Sequence, residues 1–232
     1  MSWLLPPHAS SYAGDIDWLY YLILIITGIA FLVVQIGLVW FIIKYRARPN
    51  GKALYTHGFA KAEWIWTTVT AVVVVVIGLL SAGVWDRIKG RDSVPPGAVP
   101  IGIHAKQFEW EISYPGGDGQ LGTGDDLKVR NQLHLALNRP VVATLTSEDA
   151  IHSFFIPAFR IKQDAVPGMT IRVWFQPTDT GTFELACAEL CGLGHYRMRA
   201  VATVHAEADY QRWLDERGRA PAAASPTALL QR

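Results

Sequence analysis

Four side chains that favour soft or borderline metals fall within the twelve residues CAELCGLGHYRM, 187–198: Cys187, Cys191, His195 and Met198. Cys187 and Cys191 are the only two cysteines in the chain. Three chemistries suit the pair. In an oxidising compartment, two cysteines form a disulfide. Zinc takes closed sets of Cys and His, but gains little from a thioether. Copper takes thiolate, imidazole and a weak Met together, as in electron-transfer sites on β-sandwich loops. A single-copper site of that kind needs one Cys and a second His from upstream. His152 in SEDAIHSFFIP is the candidate, and the second Cys then has no assigned role. Gly192 and Gly194 let the backbone turn sharply between the ligand-type residues.

Such a loop needs a rigid frame. From Pro95 onward the chain reads as short strands bounded by Pro, Gly and Asp: VPIGIHAKQFEWEISY, QLHLAL, VVATLTS, IHSFFI, TIRVWFQ, TFELACAE and RAVATVHA. Enrichment in Val, Ile, Thr and Phe without helical periodicity predicts an antiparallel sandwich or Greek-key barrel. AEADYQRWLDERG, 206–218, predicts one amphipathic helix, and the low-complexity tail that follows predicts loose order. From Pro95 there are 13 Lys and Arg against 15 Asp and Glu. That balance argues against a nucleic-acid partner.

Before this domain stand two uncharged apolar runs, 18–43 and 64–85, of 26 and 22 residues. At about 1.5 Å of helical rise per residue, each is long enough to cross a bilayer core. The first lacks the preceding basic residues of a cleavable signal and is too long for one. Trp, Tyr and Lys flank the spans as interfacial anchors. The loop 44–63 carries Lys44, Arg46, Arg48, Lys52 and Lys61 against one acid, Glu63, whereas 1–17 has no Lys or Arg. The positive-inside rule assigns that loop to the cytoplasm, with the N-terminus and the β-domain outside. The expected organisation is an extracytoplasmic segment 1–17, spans 18–43 and 64–85, cytoplasmic loop 44–63, linker 86–99, β-domain 100–206, and helix plus tail 207–232. Gln35, inside the first span, is expected to face a partner helix.

CAELCGLGHYRM resembles the C-x-E-x-C-G-x-x-H-x-x-M motif of cytochrome c oxidase subunit II, which holds the dinuclear copper centre CuA. SEDAIHSFFIPAFRIKQDAVPG (147–168) and KAEWIWTTVTA (61–71) are similar to the same family, so the likeness covers nearly the whole chain. The resemblance implies a transmembrane helix hairpin followed by a cupredoxin-like β-domain. It implies that Cys187 and Cys191 bridge two coppers, that His152 and His195 cap one each, and that Met198 is a weak ligand. Glu189 would supply a backbone carbonyl, with its carboxylate reaching a Mg²⁺ at the boundary with the catalytic subunit. Glu63 matches the carboxylate at the mouth of a proton channel. The implied role is to accept electrons outside a bacterial-type inner membrane from a cytochrome c or similar donor. They pass to haem in subunit I, where haem and CuB reduce oxygen with proton pumping.

Several features depart from that pattern or stand outside it. The family's QWYW run, whose first Trp accepts the electron, is QFEW here, 107–110, so Phe108 takes that place and Trp110 reads as core. Asp118, Asp125 and Asp126 lie in a glycine-rich stretch, 114–126, that reads as a solvated hairpin tip rather than a Ca²⁺ loop. His8, His57, His104, His134 and His205 have no neighbours at ligand spacing and read as surface or satisfied core residues. No C-x-x-C-H marks a covalent haem. The alternatives are a CuA-bearing nitric oxide reductase subunit, a thioredoxin-like copper chaperone and a quinol-oxidase subunit II. The last lacks copper ligands. The chaperone carries its Cys pair early, and its His follows the pair.

Overall fold

The structure is a computed structural model and describes residues 4–49, 51–52 and 55–219. It divides into two units: the helical stretch Asp15–Gly90, and a β-unit made of the N-terminal segment with everything from Arg91. The predicted loose tail, beyond residue 219, lies outside the described residues.

The helical unit consists of α1, Ala13–Lys44, and α2, Ala60–Lys89. Both exceed the apolar runs, because Asp15 and Asp17 extend the first turns of α1 and Asp86, Arg87 and Lys89 continue α2 past Trp85. Acids near a helix start and bases near its end suit the helix dipole. Ile29, Phe31, Leu32, Ile36, Val74 and Leu79 are all exposed along the two helices. Apolar surface on that scale is stable only against lipid or partner helices.

The β-unit contains β1 Val99–Lys106, β2 Glu109–Tyr114, β3 Leu127–Arg130, β4 Gln132–Ala136, β5 Val141–Ser147, β6 His152–Ile156, β7 Ile161–Ala165, β8 Ile171–Phe175, β9 Gly181–Cys187 and β10 Arg199–His205. A final helix, α3 Glu207–Arg219, follows. They form two five-stranded sheets in the orders β3-β2-β1-β5-β8 and β4-β10-β9-β6-β7. Buried positions alternate along β1, β2 and β5, as a strand with one core face requires. Trp110, Tyr114, Leu133, Leu145, Phe154, Phe159 and Phe175 fill the core.

The sheets are not purely antiparallel. β1 runs parallel to β5, with Ile103 opposite Leu145, and β10 runs parallel to β4, with Ala202 opposite Leu133. The chain reaches these partners by crossing from one sheet to the other, so the second strand of each pair arrives in the same direction. β3 and β7 escape an apolar-run search for a physical reason. Both are short edge strands, and each buries few apolar side chains, Val129 in LKVR and Ile161 and Ala165 in IKQDA, so neither shows an apolar run.

The N-terminal segment belongs to the β-unit. The Ala9 N–H donates to Ala158 O (2.8 Å), the Ser10 hydroxyl to Phe159 O (2.7 Å) and the Tyr12 hydroxyl to Trp174 O (3.1 Å). Tyr12 also packs edge-on against Trp174, with ring centroids 5.3 Å apart.

Candidate metal centre

β9 ends at Cys187 and β10 begins at Arg199, so CAELCGLGHYRM is the turn between two paired strands. The Cys187 N–H donates to Met198 O (3.0 Å) and closes the base of this loop. The Ala188 N–H donates to Ser153 O (3.0 Å), tying the loop to β6. β6 pairs with β9 at Phe154 and Cys187, and this brings His152 beside the loop from 35 residues away. A single 3₁₀ turn, His195–Arg197, follows Gly194 and returns Met198 towards the core.

Six donor atoms converge. The thiols of Cys187 and Cys191 lie 3.8 Å apart, and both cysteines are free and buried. That separation is far beyond the ~2.05 Å of a disulfide. His152 Nδ1 lies 3.9 Å from Cys187 Sγ and 3.1 Å from Met198 Sδ. His195 Nδ1 lies 3.7 Å from Cys191 Sγ, and Met198 Sδ lies 3.8 Å from the same sulfur. The Glu189 carbonyl oxygen stands 3.2 Å from Cys187 Sγ, while its side chain is exposed. His152, Cys187 and Cys191 have ligand atoms within 4.8 Å of one another, the one such His/Cys/carboxylate group found among the described residues.

Burial, and then the neighbouring Cys187 thiol, push the Cys191 thiol up to about 11. Two thiolates at this spacing therefore need a cation between them. His152 is fully buried, and its Nε2 meets Asp149 Oδ1 at 2.9 Å. A proton donated from Nε2 leaves the Nδ1 lone pair facing the sulfurs. Burial opposes ionisation of Asp149, but bonds from His152 and from the backbone N–H groups of Gln107 and Ala150 hold its carboxyl below the usual range. The soft donor set, the oriented imidazole and the dry setting fit copper.

Asp149 is the member of the site that ligand-type residues alone do not reveal. Its signal is a carboxylate three residues before a candidate His, in SEDAIHS. Phe108, at the β1–β2 turn, lies directly over the ligand loop. A Cβ on Gly194 would collide with its ring, and one on Gly192 would come within 3.3 Å of it. The Arg197 guanidinium sits 5.7 Å from the centre of the same ring. Trp110 is fully buried in β2, with its ring centroid 6.2 Å from that of His152.

The remaining candidates lie elsewhere. Glu63 is an exposed acid in the first turn of α2. Asp118, Asp125 and Asp126 accept bonds from their own loop, including the Gln120 N–H, the Thr123 hydroxyl and the Gly122 N–H. His104 contacts Thr146 and Glu148. His134 and His205, without ligand-spaced neighbours in sequence, meet each other across 2.8 Å from parallel strands.

Residues 1–84 match the transmembrane domain of cytochrome c oxidase subunit II and residues 111–205 match its periplasmic domain. An alternative cytochrome c oxidase subunit 2 of Bradyrhizobium diazoefficiens is 34% identical over 236 residues, covering 92% of this chain and 84% of that protein. The chain belongs to the cytochrome c oxidase subunit II family. Cytochrome c oxidase subunit 2 of Cereibacter sphaeroides is 30% identical, with 90% of this chain and 78% of that one covered. The periplasmic domain of subunit II from Bradyrhizobium japonicum is similar at 27% identity. That match covers 53% of this chain and 96% of that one, with a TM-score of 0.48. As a subunit II, the chain is an oxidoreductase component of a haem–copper oxidase, with two membrane spans and a two-sheet β-domain. Its family is the copper-binding subunit, and the His/Cys/Cys/Met cluster is compatible with copper.

Proposed function

We propose that His152, Cys187, Glu189 (through its carbonyl), Cys191, His195 and Met198 hold a dinuclear copper centre, CuA. Through it the chain would accept single electrons outside the membrane and deliver them to haem in the catalytic subunit I, for oxygen reduction coupled to proton pumping. One observation carries this reading. Two unbridged thiols face each other at 3.8 Å, and each has its own imidazole Nδ1 within 4 Å. A disulfide has no use for the imidazoles, and a single copper has no use for the second sulfur.

When bound by Cys187, Cys191, His152, His195 and Met198, copper would supply a one-electron acceptor. The chain's own residues do the rest. β6, β9 and β10 fix the ligand atoms, so little rearrangement accompanies a change of charge. The buried Met198 and Cys187 side chains exclude water. Asp149 would hold the His152 proton on Nε2, leaving Nδ1 free beside the sulfurs of Cys187 and Met198. Leu190, Leu193 and Tyr196 stand at least three-quarters exposed on the outside of the loop. Together with Phe108 they form an apolar contact face for an electron donor such as a cytochrome c.

The N-terminal segment is bonded to the β-unit, so both share one side of the membrane, and the basic loop 44–63 lies on the other. This supports a periplasmic β-domain on a bacterial inner membrane. The Glu189 carboxylate is assigned to a Mg²⁺ at the boundary with subunit I, and Glu63 to the mouth of a proton channel. The purified full-length chain should carry two coppers and give the EPR hyperfine pattern of one unpaired electron shared by two copper nuclei. One copper per chain, with a single-nucleus pattern, would overturn the assignment.

A further inference from the structure

Gln107 occupies an exposed turn between β1 and β2 and belongs to neither ligand strand. Its side chain nevertheless reaches the heart of the loop. The Nε2–H donates to the Cys191 carbonyl at 2.5 Å. Its backbone N–H donates to Asp149 Oδ2 at 2.8 Å, and the other oxygen of that carboxylate meets His152 Nε2 at 2.9 Å. One residue thus joins two ligand-bearing segments that lie 84 and 42 positions further along the chain. The loop is shaped to receive it. Gly192 adopts φ 131°, and a Cβ there would stand 2.8 Å from Gln107 Nε2. A side chain at Gly192 would push the amide off Cys191, so the first glycine of the motif and the glutamine fit as a pair.

We infer that Gln107 is a positioning residue for the proposed copper centre: it locks the Cys191 peptide and the Asp149–His152 pair into one frame, and so sets the relation between the Cys191 sulfur and the His152 imidazole. This rests on the CuA reading given above. The physical basis is the control that outer-sphere hydrogen bonds exert over ligand orientation and basicity. The bond to the Cys191 carbonyl fixes the peptide that carries the thiol. The bond to Asp149 fixes the carboxylate that chooses the His152 tautomer. Because Gln107 is exposed, loss of its side-chain amide frees the Cys191 peptide without opening a cavity, while the backbone N–H still holds Asp149.

The test compares Gln107→Met and Gln107→Lys with the native chain in the assembled oxidase. Met matches the length of Gln but cannot donate; Lys restores a donor of similar reach. The native chain must first show two coppers with the shared-electron EPR pattern, and failure at that step would reject the CuA reading itself. Given that, Gln107→Met should retain both coppers and the native melting temperature. It should lose copper to a chelator roughly tenfold faster, with a shifted reduction potential and altered hyperfine splittings. Gln107→Lys should move all three back towards native values. Native release rate, potential and splittings in Gln107→Met would overturn the inference, as would no recovery in Gln107→Lys. If Gln107→Met does not assemble, Gln107→Asn, one methylene shorter, is read by the same criteria.

Discussion

At the scale of single residues, the proposed copper centre would depend on donors of unequal strength. Met198 Sδ lies 3.1 Å from His152 Nδ1 and 3.8 Å from Cys191 Sγ, where a thioether acts as a weak ligand. Met198→Leu should therefore keep both coppers but move the reduction potential upward by tens of millivolts, about 59 mV being a tenfold change for one electron. Potentiometric titration with copper analysis checks this, and complete loss of metal would make Met198 structural instead. Gly194 is fixed by a neighbour. Its missing side chain leaves room for the Phe108 ring. Gly194→Ala should cost about 1–3 kcal/mol of domain stability by overpacking, read from thermal melts. Phe108→Ala in the same chain should recover most of that loss by vacating the space.

At the scale of elements, α3 packs on the β-unit through aromatic and imidazole rings. Trp213 stacks on His134, with centroids 4.1 Å apart, and meets Tyr114 edge-on at 5.2 Å. His134 in β4 and His205 in β10 share a contact of 2.8 Å, which requires one ring nitrogen to accept. Burial, then the positive fields of His205 and Arg217, lower the His134 pKa from 6.5 to about 4. Between those values the unfolded chain binds a proton that the folded one refuses, so stability rises with pH across the window. It is intact above about 6.5 and is lost as pH falls towards 4. The loss expected for a half-buried ring is on the order of 1–2 kcal/mol. Melting temperature measured from pH 7.5 down to 4.5 should decline more steeply for the native chain than for His134→Gln.

For the whole molecule, the two units serve different solvents. α1 and α2 present apolar side chains throughout, whereas the β-unit carries paired surface charges such as Arg199 with Glu184 and Lys106 with Glu109. The only acid in the basic loop between the apolar runs, Glu63, stands in the first turn of α2, far in sequence from the proposed copper ligands. If Glu63 lies at a proton-channel mouth, Glu63→Gln should slow turnover of the assembled oxidase at least about tenfold. The copper EPR signal should stay unchanged. Native turnover would reduce Glu63 to a helix-start acid stabilised by the dipole.

Much of this was legible in the chain as written. Two uncharged runs of bilayer length dictate membrane helices, because nothing else satisfies the backbone in lipid. The ligand types in CAELCGLGHYRM limit the chemistry to soft metals or a disulfide, because thiol, imidazole and thioether are intrinsic to their residues. Tertiary structure decided the rest. It left Cys187 and Cys191 at 3.8 Å rather than joined, and pairing of β6 with β9 brought His152 to them. It revealed the β-strands LKVR and IKQDA, which an edge position frees from apolar patterning. It also linked Gln107, Asp149 and His152, and paired His134 with His205, across separations that no spacing rule connects. Local sequence fixes which atoms are available; only the crossing of strands between sheets fixes which of them meet.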